Sequence, residues 1–204
     1  MPLGNRDIGI NLWVEENGDL QFYISKTDSY SEYQQLLKLG RVRVRFAHHP
    51  FKAGTPFRQI LDIQKGTITI EAGEPGEKSR LVIWVDANHP GNRLEAQSDI
   101  PVEATIHLEL WRTGIREVTK PAEAHSYMGQ NLEFEKIFEY PDSITSTPDQ
   151  SLLWYHRNES SVVAETFKRQ DMGHLAGEVT DPLIGLTSGC KLRGQNLVKN
   201  PSLA

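Results

Sequence analysis

The first thirty residues carry the clearest hydrophobic pattern in the chain. Apolar residues alternate with other residues over Ile8–Val14 and again over Leu20–Ile24. A period of two is typical of strands that bury one face. Asn17 and Gly18 lie between the two runs, and both tolerate a positive φ. The pattern therefore predicts a β-hairpin with its turn at this pair.

Two polar loops bracket the predicted hairpin, at residues 4–7 and 26–29. An antiparallel hairpin brings these loops to the same end, so Asn5, Arg6, Asp7, Lys26 and Asp28 are expected to cluster. Two interpretations stay open. The cluster is either a pair of solvated loop ends or half of a ligand-facing rim, because binding residues are often found on loops of a rigid scaffold.

The same alternation recurs along most of the chain. Further strands are predicted at residues 41–46, 57–63, 67–71, 81–86, 103–111, 151–158 and 183–187. The run at 81–86 is continuously apolar, so it is expected to be covered on both faces. Residues 31–37 have weak helical character, and 161–172 form the best helix candidate. Residues 119–147 are predicted to be a long excursion with at most one short strand, at 132–140.

Turn residues separate these runs at short intervals, which is the signature of an all-β sandwich or barrel. We therefore predict an all-β fold, a two-layer antiparallel sandwich with one or two short helices. Three arginines, Arg41, Arg43 and Arg45, lie on the outer face of one predicted strand. A solvated face is expected there rather than an anion site, because the arginines repel one another unless acidic neighbours lie across the strand.

Composition limits the classes of function. The chain has 204 residues and 38% apolar residues, which suits a packed β domain. Its net charge of −5 argues against a nucleic-acid partner, which would need clustered basic surface. No apolar run approaches the roughly 18 residues that span a bilayer, so no membrane insertion is expected. The sequence carries no signal-peptide pattern, and the single Cys190 provides no disulfide framework or zinc cluster.

Established catalytic motifs are absent from the sequence. There is no phosphate-binding Walker loop, no dinucleotide fingerprint, no His-Glu-x-x-His and no Gly-x-Ser-x-Gly. We therefore expect no cofactor and no metal. Glycoside hydrolysis generally needs two carboxylates about 5–10 Å apart. The chain has 27 acidic residues, and their spacing alone does not identify such a pair.

One predicted strand, residues 151–158, holds a candidate binding set. Alternation places Trp154, His156 and Asn158 on one face. An aromatic ring beside hydrogen-bonding side chains suits a sugar, whose C–H face stacks while its hydroxyls need donors and acceptors. The alternative is a buried tryptophan whose two polar neighbours are satisfied by backbone. With Asn5 and Asp7, these residues form the predicted carbohydrate-binding rim.

The opening segment also resembles a known family. The loop Pro2-Leu3-Gly4-Asn5-Arg6 and the Asn17-Gly18 turn are similar to the start of a large bacterial glycoside-hydrolase-like family. A closer resemblance is to an uncharacterised set known only as a domain of unknown function, and a more distant one is to fucosidase-type hydrolases. Arg6 stands where the loop of that family has a glycine. Residues 181–189 resemble the start of the strand that closes the same domain.

The resemblance implies a single β-supersandwich domain, similar to galactose mutarotase, over residues 1–204 of a longer parent. It implies a non-catalytic N-terminal domain of a glycoside hydrolase, which supports and partly lines a carbohydrate site made with a downstream helical domain. The catalytic carboxylates are expected on that helical domain, and the parent is expected to be periplasmic or secreted. The alternative is a stand-alone carbohydrate-binding or aldose-epimerase-like protein, for which the sequence offers no assignable His–Glu pair.

Overall fold

The computed structural model of the protein describes residues 1–47, 50–119, 136–149 and 151–198. Strands hold 47% of the described residues and helices 6%, which confirms the predicted all-β fold with antiparallel sheets. The chain packs as two compact units. The first comprises residues 1–28 and 40–109, and the second comprises residues 29–39 and the described residues from 110 onward. The prediction that they act as a single domain stays a prediction.

The first unit is built from two antiparallel sheets. In spatial order, the five-stranded sheet contains β1 (Pro2–Gly4), β2 (Ile8–Val14), β3 (Leu20–Tyr30), β4 (Leu36–Phe46) and β9 (Ala104–Glu109). The four-stranded sheet contains β5 (Phe57–Asp62), β6 (Thr67–Ala72), β7 (Ser79–Val85) and β8 (Asn92–Ser98). The last residues of β3 and the first residues of β4 belong to the second unit.

The predicted hairpin is present as the pair β2–β3, with Val14 opposite Leu20. Gly18 in its turn has a φ of 89°. A β-carbon there would lie 2.9 Å from the backbone nitrogen of Lys52, so the turn requires glycine for both its conformation and its space.

The inward faces of the two sheets form the core of the first unit, where β1 and β2 contact β7. Buried core residues include Ile10, Leu12, Phe22, Val44, Ile68, Ile70, Leu81 and Ile83. In β2, β6 and β7 the buried residues are two apart, as expected for strands that bury one face. The predicted coverage of β7 on both faces is wrong, because Val82 and Trp84 on its outer face are partly exposed.

The second unit contains shorter elements. Its three-stranded sheet has β12 (Ser143–Ser146), β13 (Leu152–Arg157) and β14 (Thr187–Leu192), and β10 (Arg116–Glu117) pairs with β11 (Phe138–Glu139). Helix α1 (Val163–Arg169) and a 3₁₀ turn (Gly173–Leu175) follow β13. The core of this unit is formed by Tyr33, Val118, Ile137, Val162 and Leu183. The strand predicted at 132–140 lies partly outside the described residues, and its described part contains β11. The prediction of at most one short strand within 119–147 is wrong, because residues 143–146 pair with β13 as β12.

Three local predictions are wrong, each because a hydrogen bond outweighs the local pattern. Residues 26–29 continue β3 instead of forming a loop, and the N–H of Thr27 donates to the Asp7 carbonyl. Residues 31–35 form a turn and residues 36 and 37 begin β4, because the Ser31 hydroxyl accepts the N–H of Gln35 at 3.0 Å. The last strand is β14 and not residues 183–187, since Asp181 accepts the N–H of Leu183 and fixes a turn there.

Candidate functional site

Strand β13 holds Trp154 and His156 two apart along one face, and Asn158 follows directly after the strand. All three are buried, with exposed fractions of 2%, 2% and 1%. The indole N–H of Trp154 donates to the Leu39 carbonyl at 2.6 Å. The ring is therefore part of the core in this structure, which is the arrangement that the buried-tryptophan alternative describes. Its stacking on a sugar stays a prediction.

His156 lies between two carboxylates. Its Nε2 is 3.2 Å from Glu32 Oε1, and its Nδ1 is 3.1 Å from Asp142 Oδ1. Arg112 Nε donates to the same Asp142 oxygen at 2.7 Å, and Arg112 Nη2 donates to the Lys38 carbonyl at 3.0 Å. With His156 protonated, the two positive charges of this buried network balance its two negative charges.

The environment of His156 raises its pKa to about 9. Burial is the largest single influence and acts in the opposite direction, because an imidazolium loses its hydration in the core. The hydrogen bonds to Asp142 and Glu32, with the charge of Glu32, outweigh that loss. His156 is therefore a cation near neutral pH and donates an N–H to each carboxylate.

Unpaired polar atoms accompany the network. Among the described residues of the second unit, the buried atoms Glu32 Oε2, Asp142 Oδ2, Asn158 Oδ1 and Ser29 Oγ have no hydrogen-bond partner. The amide nitrogen of Asn158 donates to two carbonyls, those of Tyr30 at 3.1 Å and Leu183 at 3.0 Å. The amide nitrogen of Asn158 thus connects its own segment to the segments of Tyr30 and Leu183, which is a structural role.

A histidine close to a glutamate is a pair that can perform acid–base chemistry on a sugar. The sequence did not reveal this pair, because Glu32 is 124 residues away from His156 along the chain. The side chains of His156 and Glu32 are 1% and 0% exposed, and those of Arg112 and Asp142 are 3% and 2% exposed. A substrate cannot reach groups that are so completely covered, so the arrangement is a structural network.

The other two predicted residues, Asn5 and Asp7, lie in the first unit on the loop between β1 and β2. Asn5 Oδ1 accepts the N–H of Ile8 at 2.8 Å, and its Nδ2 donates to the Asp86 carbonyl at 2.6 Å. Asp7 pairs with Lys26 at 3.0 Å, so these two members of the predicted cluster do lie together, although Lys26 is in β3. Asn5 serves the backbone here. A sugar-binding rim that includes the residues of β13 stays a prediction.

Arg6, in the same loop, stands where the resembling family has a glycine. Its φ is 81°, which is the left-handed region that glycine adopts readily and other residues rarely do. The chain therefore keeps the backbone conformation that a glycine would favour, although the residue is an arginine.

The arginines of β4 are neutralised by acidic neighbours on adjacent elements. Arg43 Nη1 is 3.1 Å and Arg45 Nη2 is 3.3 Å from Oδ2 of the fully buried Asp19. Glu109, across the strand, pairs with both Arg41 and Arg43. The arginines form ion pairs with these carboxylates, which argues for a solvated strand face with internal ion pairs rather than an anion site.

A cavity of about 510 Å³ opens at one end of the four-stranded sheet. Its lining includes Phe57, Arg58, Glu71, Lys78, Arg80 and Gln97. The strand register aligns four of these side chains in a row, in the order Arg58, Glu71, Arg80 and Gln97. The row lies on the outer face of the sheet, which is opposite to the face that carries the buried core residues.

Glu71 is held between two arginines in that row. Arg58 Nη2 donates to Glu71 Oε2 at 2.8 Å, and Arg80 Nε lies 3.4 Å from Glu71 Oε1. The hydrogen bond from Arg58 is the main reason why the pKa of Glu71 falls below its ordinary value. Glu71 therefore stays ionised at neutral pH and is unsuited to donate a proton. The cavity is equipped to bind polar groups rather than to protonate a leaving group.

Comparison with known families gives one match. A family model described as Domain of unknown function (DUF5703) matches residues 1–203. The searches of curated proteins and of solved structures found no match to the chain. Among the described residues, no helix is long and apolar enough to cross a membrane.

Proposed function

The chain belongs to the Domain of unknown function (DUF5703) family, and we propose that it is a non-catalytic N-terminal domain of a glycoside hydrolase. In this proposal it supports and partly lines a carbohydrate site made with a downstream helical domain. The resemblance of the opening segment suggests the enzyme class. One structural observation supports the non-catalytic role: the acid–base groups are sealed in the core, while the accessible cavity contains a carboxylate that is held ionised.

Hydrolysis of a glycoside needs one protonated and one ionised carboxyl group at an accessible site. In the buried network, Glu32 and Asp142 both accept hydrogen bonds from the His156 cation, and their side chains are 0% and 2% exposed. In the cavity, Glu71 is bound by two arginines. Within the described residues, neither the buried network nor the cavity provides an accessible carboxyl group that can act as a general acid.

The buried network is better suited to a supporting role. It joins Glu32, in the turn before β4, and the Lys38 carbonyl, within β4, to His156 on β13. Arg112 and Asp142 complete the connection. A binding site needs supporting residues whose positions are fixed by packing and hydrogen bonds. The network connects four places in the second unit that are separate in sequence: residues 32–38, Arg112, Asp142 and His156.

The proposal is tested by incubating the purified chain with aryl glycosides and with plant and host glycans. We expect binding of at least one glycan and no release of product. Glu71→Gln and Glu32→Gln variants serve as controls for a trace contaminant, because a contaminating hydrolase would be unaffected by them. Reproducible turnover that one Asp or Glu substitution abolishes would overturn the non-catalytic role.

The alternative of an aldose-epimerase-like protein has one observation in its favour, the 3.2 Å separation of His156 Nε2 and Glu32 Oε1. Polarimetry distinguishes the two proposals. An epimerase accelerates the interconversion of α and β sugar anomers, and its His156→Gln variant does not. We expect the chain to leave the spontaneous rate of mutarotation unchanged, since solvent does not reach the pair.

A further inference from the structure

We propose that the outer face of the four-stranded sheet binds an acidic oligosaccharide. Arg58, Lys78 and Arg80 at the cavity hold an anionic group of the sugar chain, and Trp84 stacks on a ring farther along β7. The inference rests on the proposed function, and it adds a place and a class of ligand to it.

The strand geometry places the two ends of this surface on one face. Arg80 and Trp84 are four residues apart on β7. Four residues are two full periods of a strand, so both residues lie on the same face of the sheet. In the neighbouring strand β8, Gln97 lies opposite Arg80 and Arg93 lies opposite Trp84. At about 3.3 Å per residue, four residues span about 13 Å. That distance corresponds to a short oligosaccharide rather than to a single ring.

The charges of the cavity favour an anionic ligand. The whole chain has a net charge of −5, yet three basic side chains and only two acidic ones, Glu71 and Asp99, line this cavity. Glu71 is already neutralised by its two arginines. Asp99 Oδ2 accepts the backbone N–H of Lys78 at 3.0 Å.

The basic side chains are accessible and have further donors to offer. The side chains of Arg58 and Arg80 are 67% and 47% exposed. Each guanidinium has five N–H groups, of which Glu71 engages only part. A guanidinium and a carboxylate or sulfate form strong charge-assisted hydrogen bonds. Gln97 beside them adds an amide that can both donate to and accept from sugar hydroxyls.

Trp84 supplies the apolar part of the surface. It is partly exposed on the outer face, with the register partners Thr67 and Arg93 on either side. An indole ring stacks on the C–H face of a sugar, while the neighbouring polar side chains are placed to bond its hydroxyls. An aromatic ring bordered by polar residues fits a sugar better than it fits an apolar protein surface.

The test is isothermal titration of the whole chain with three oligosaccharides of equal length. One is carboxylated (oligogalacturonate), one is sulfated (a chondroitin sulfate oligosaccharide), and one is neutral (a galactan fragment). We expect an acidic ligand to bind, with an affinity that falls as the salt concentration is raised from about 20 to about 200 mM. The carboxylated and sulfated ligands together establish which anionic group the cavity prefers.

Variants locate the site. Arg58→Gln, Arg80→Gln and Trp84→Ala are each expected to weaken binding of the preferred acidic ligand about tenfold, which is the usual loss for a charge-assisted hydrogen bond or an aromatic anchor. Arg193→Gln, at an exposed arginine of the second unit, is the matched control and should bind as the parent does. Circular dichroism confirms that each variant is folded.

The outcomes separate this inference from the proposed function. Binding of the neutral ligand alone, or unchanged affinity of both arginine variants, would overturn the inference and leave the carbohydrate role intact. A folded chain that binds none of these ligands, or any glycan of the wider panel, would overturn both.

Discussion

Raising the pH through the pKa of His156 should destabilise the protein. That pKa is about 9 in the folded chain, against an ordinary value of 6.5. Because the folded value is the higher one, protonation of His156 stabilises the fold. This contribution is fully present below pH 6.5 and is lost as the pH rises from 6.5 to 9. The difference corresponds to about 3 kcal/mol of unfolding free energy.

The physical cause lies in the groups that face the ring. Glu32, Asp142 and Arg112 surround His156, and neutral His156 leaves two buried carboxylates with a single cation. His156→Gln has the same consequence at every pH. We therefore expect this variant to be less stable than the parent by about 3–5 kcal/mol at pH 6, as is usual when one member of a buried ion pair is removed.

Urea unfolding at pH 6, 7.5 and 9.5 measures both effects by circular dichroism. The difference in unfolding free energy between the parent and His156→Gln should shrink by about 3 kcal/mol between pH 6 and 9.5. His174→Gln is the matched control, because His174 is exposed in the 3₁₀ turn, and it should follow the parent at each pH. A difference between the parent and His156→Gln that stays constant with pH would refute the protonated network.

Two further predictions test the packing. Trp154→Ala should cost about 3–5 kcal/mol in urea unfolding, because it empties a buried site and removes the donor to the Leu39 carbonyl; a loss below about 1 kcal/mol would mean that the ring supports little core. Gly73→Ala should destabilise more than Gly76→Ala. Both glycines have a positive φ, but only at Gly73 would a β-carbon lie 2.4 Å from the Glu77 carbonyl oxygen. Equal losses would contradict that crowding.

Local patterns were sufficient for much of the fold. The hairpin β2–β3 followed from the alternation of its apolar residues and from Asn17-Gly18, because period and turn chemistry are both local. Strands β5 and β6 followed from the same alternation. Strand β7 did not, because an apolar run has the same appearance whether one or both faces are covered. Only its neighbours determine that Trp84 lies on an open face.

The candidate site was less accessible to sequence reasoning. Alternation correctly placed Trp154, His156 and Asn158 on one face, but it does not specify which face is buried. The contacts of His156 with Glu32 and Asp142 join strand β13 to distant segments. Such contacts follow from tertiary topology, which no local spacing encodes. The row of charged side chains at the cavity likewise depends on the register of four strands.

The most direct test of the proposed function is glycoside turnover by the longer parent that the proposal assumes, measured with and without residues 1–204. We expect the parent to hydrolyse a glycan, the isolated chain to hydrolyse none, and removal of residues 1–204 to abolish or strongly reduce turnover. Full turnover by the parent without these residues, or turnover by the isolated chain that an Asp or Glu substitution removes, would contradict the role of a non-catalytic domain that helps to build the site.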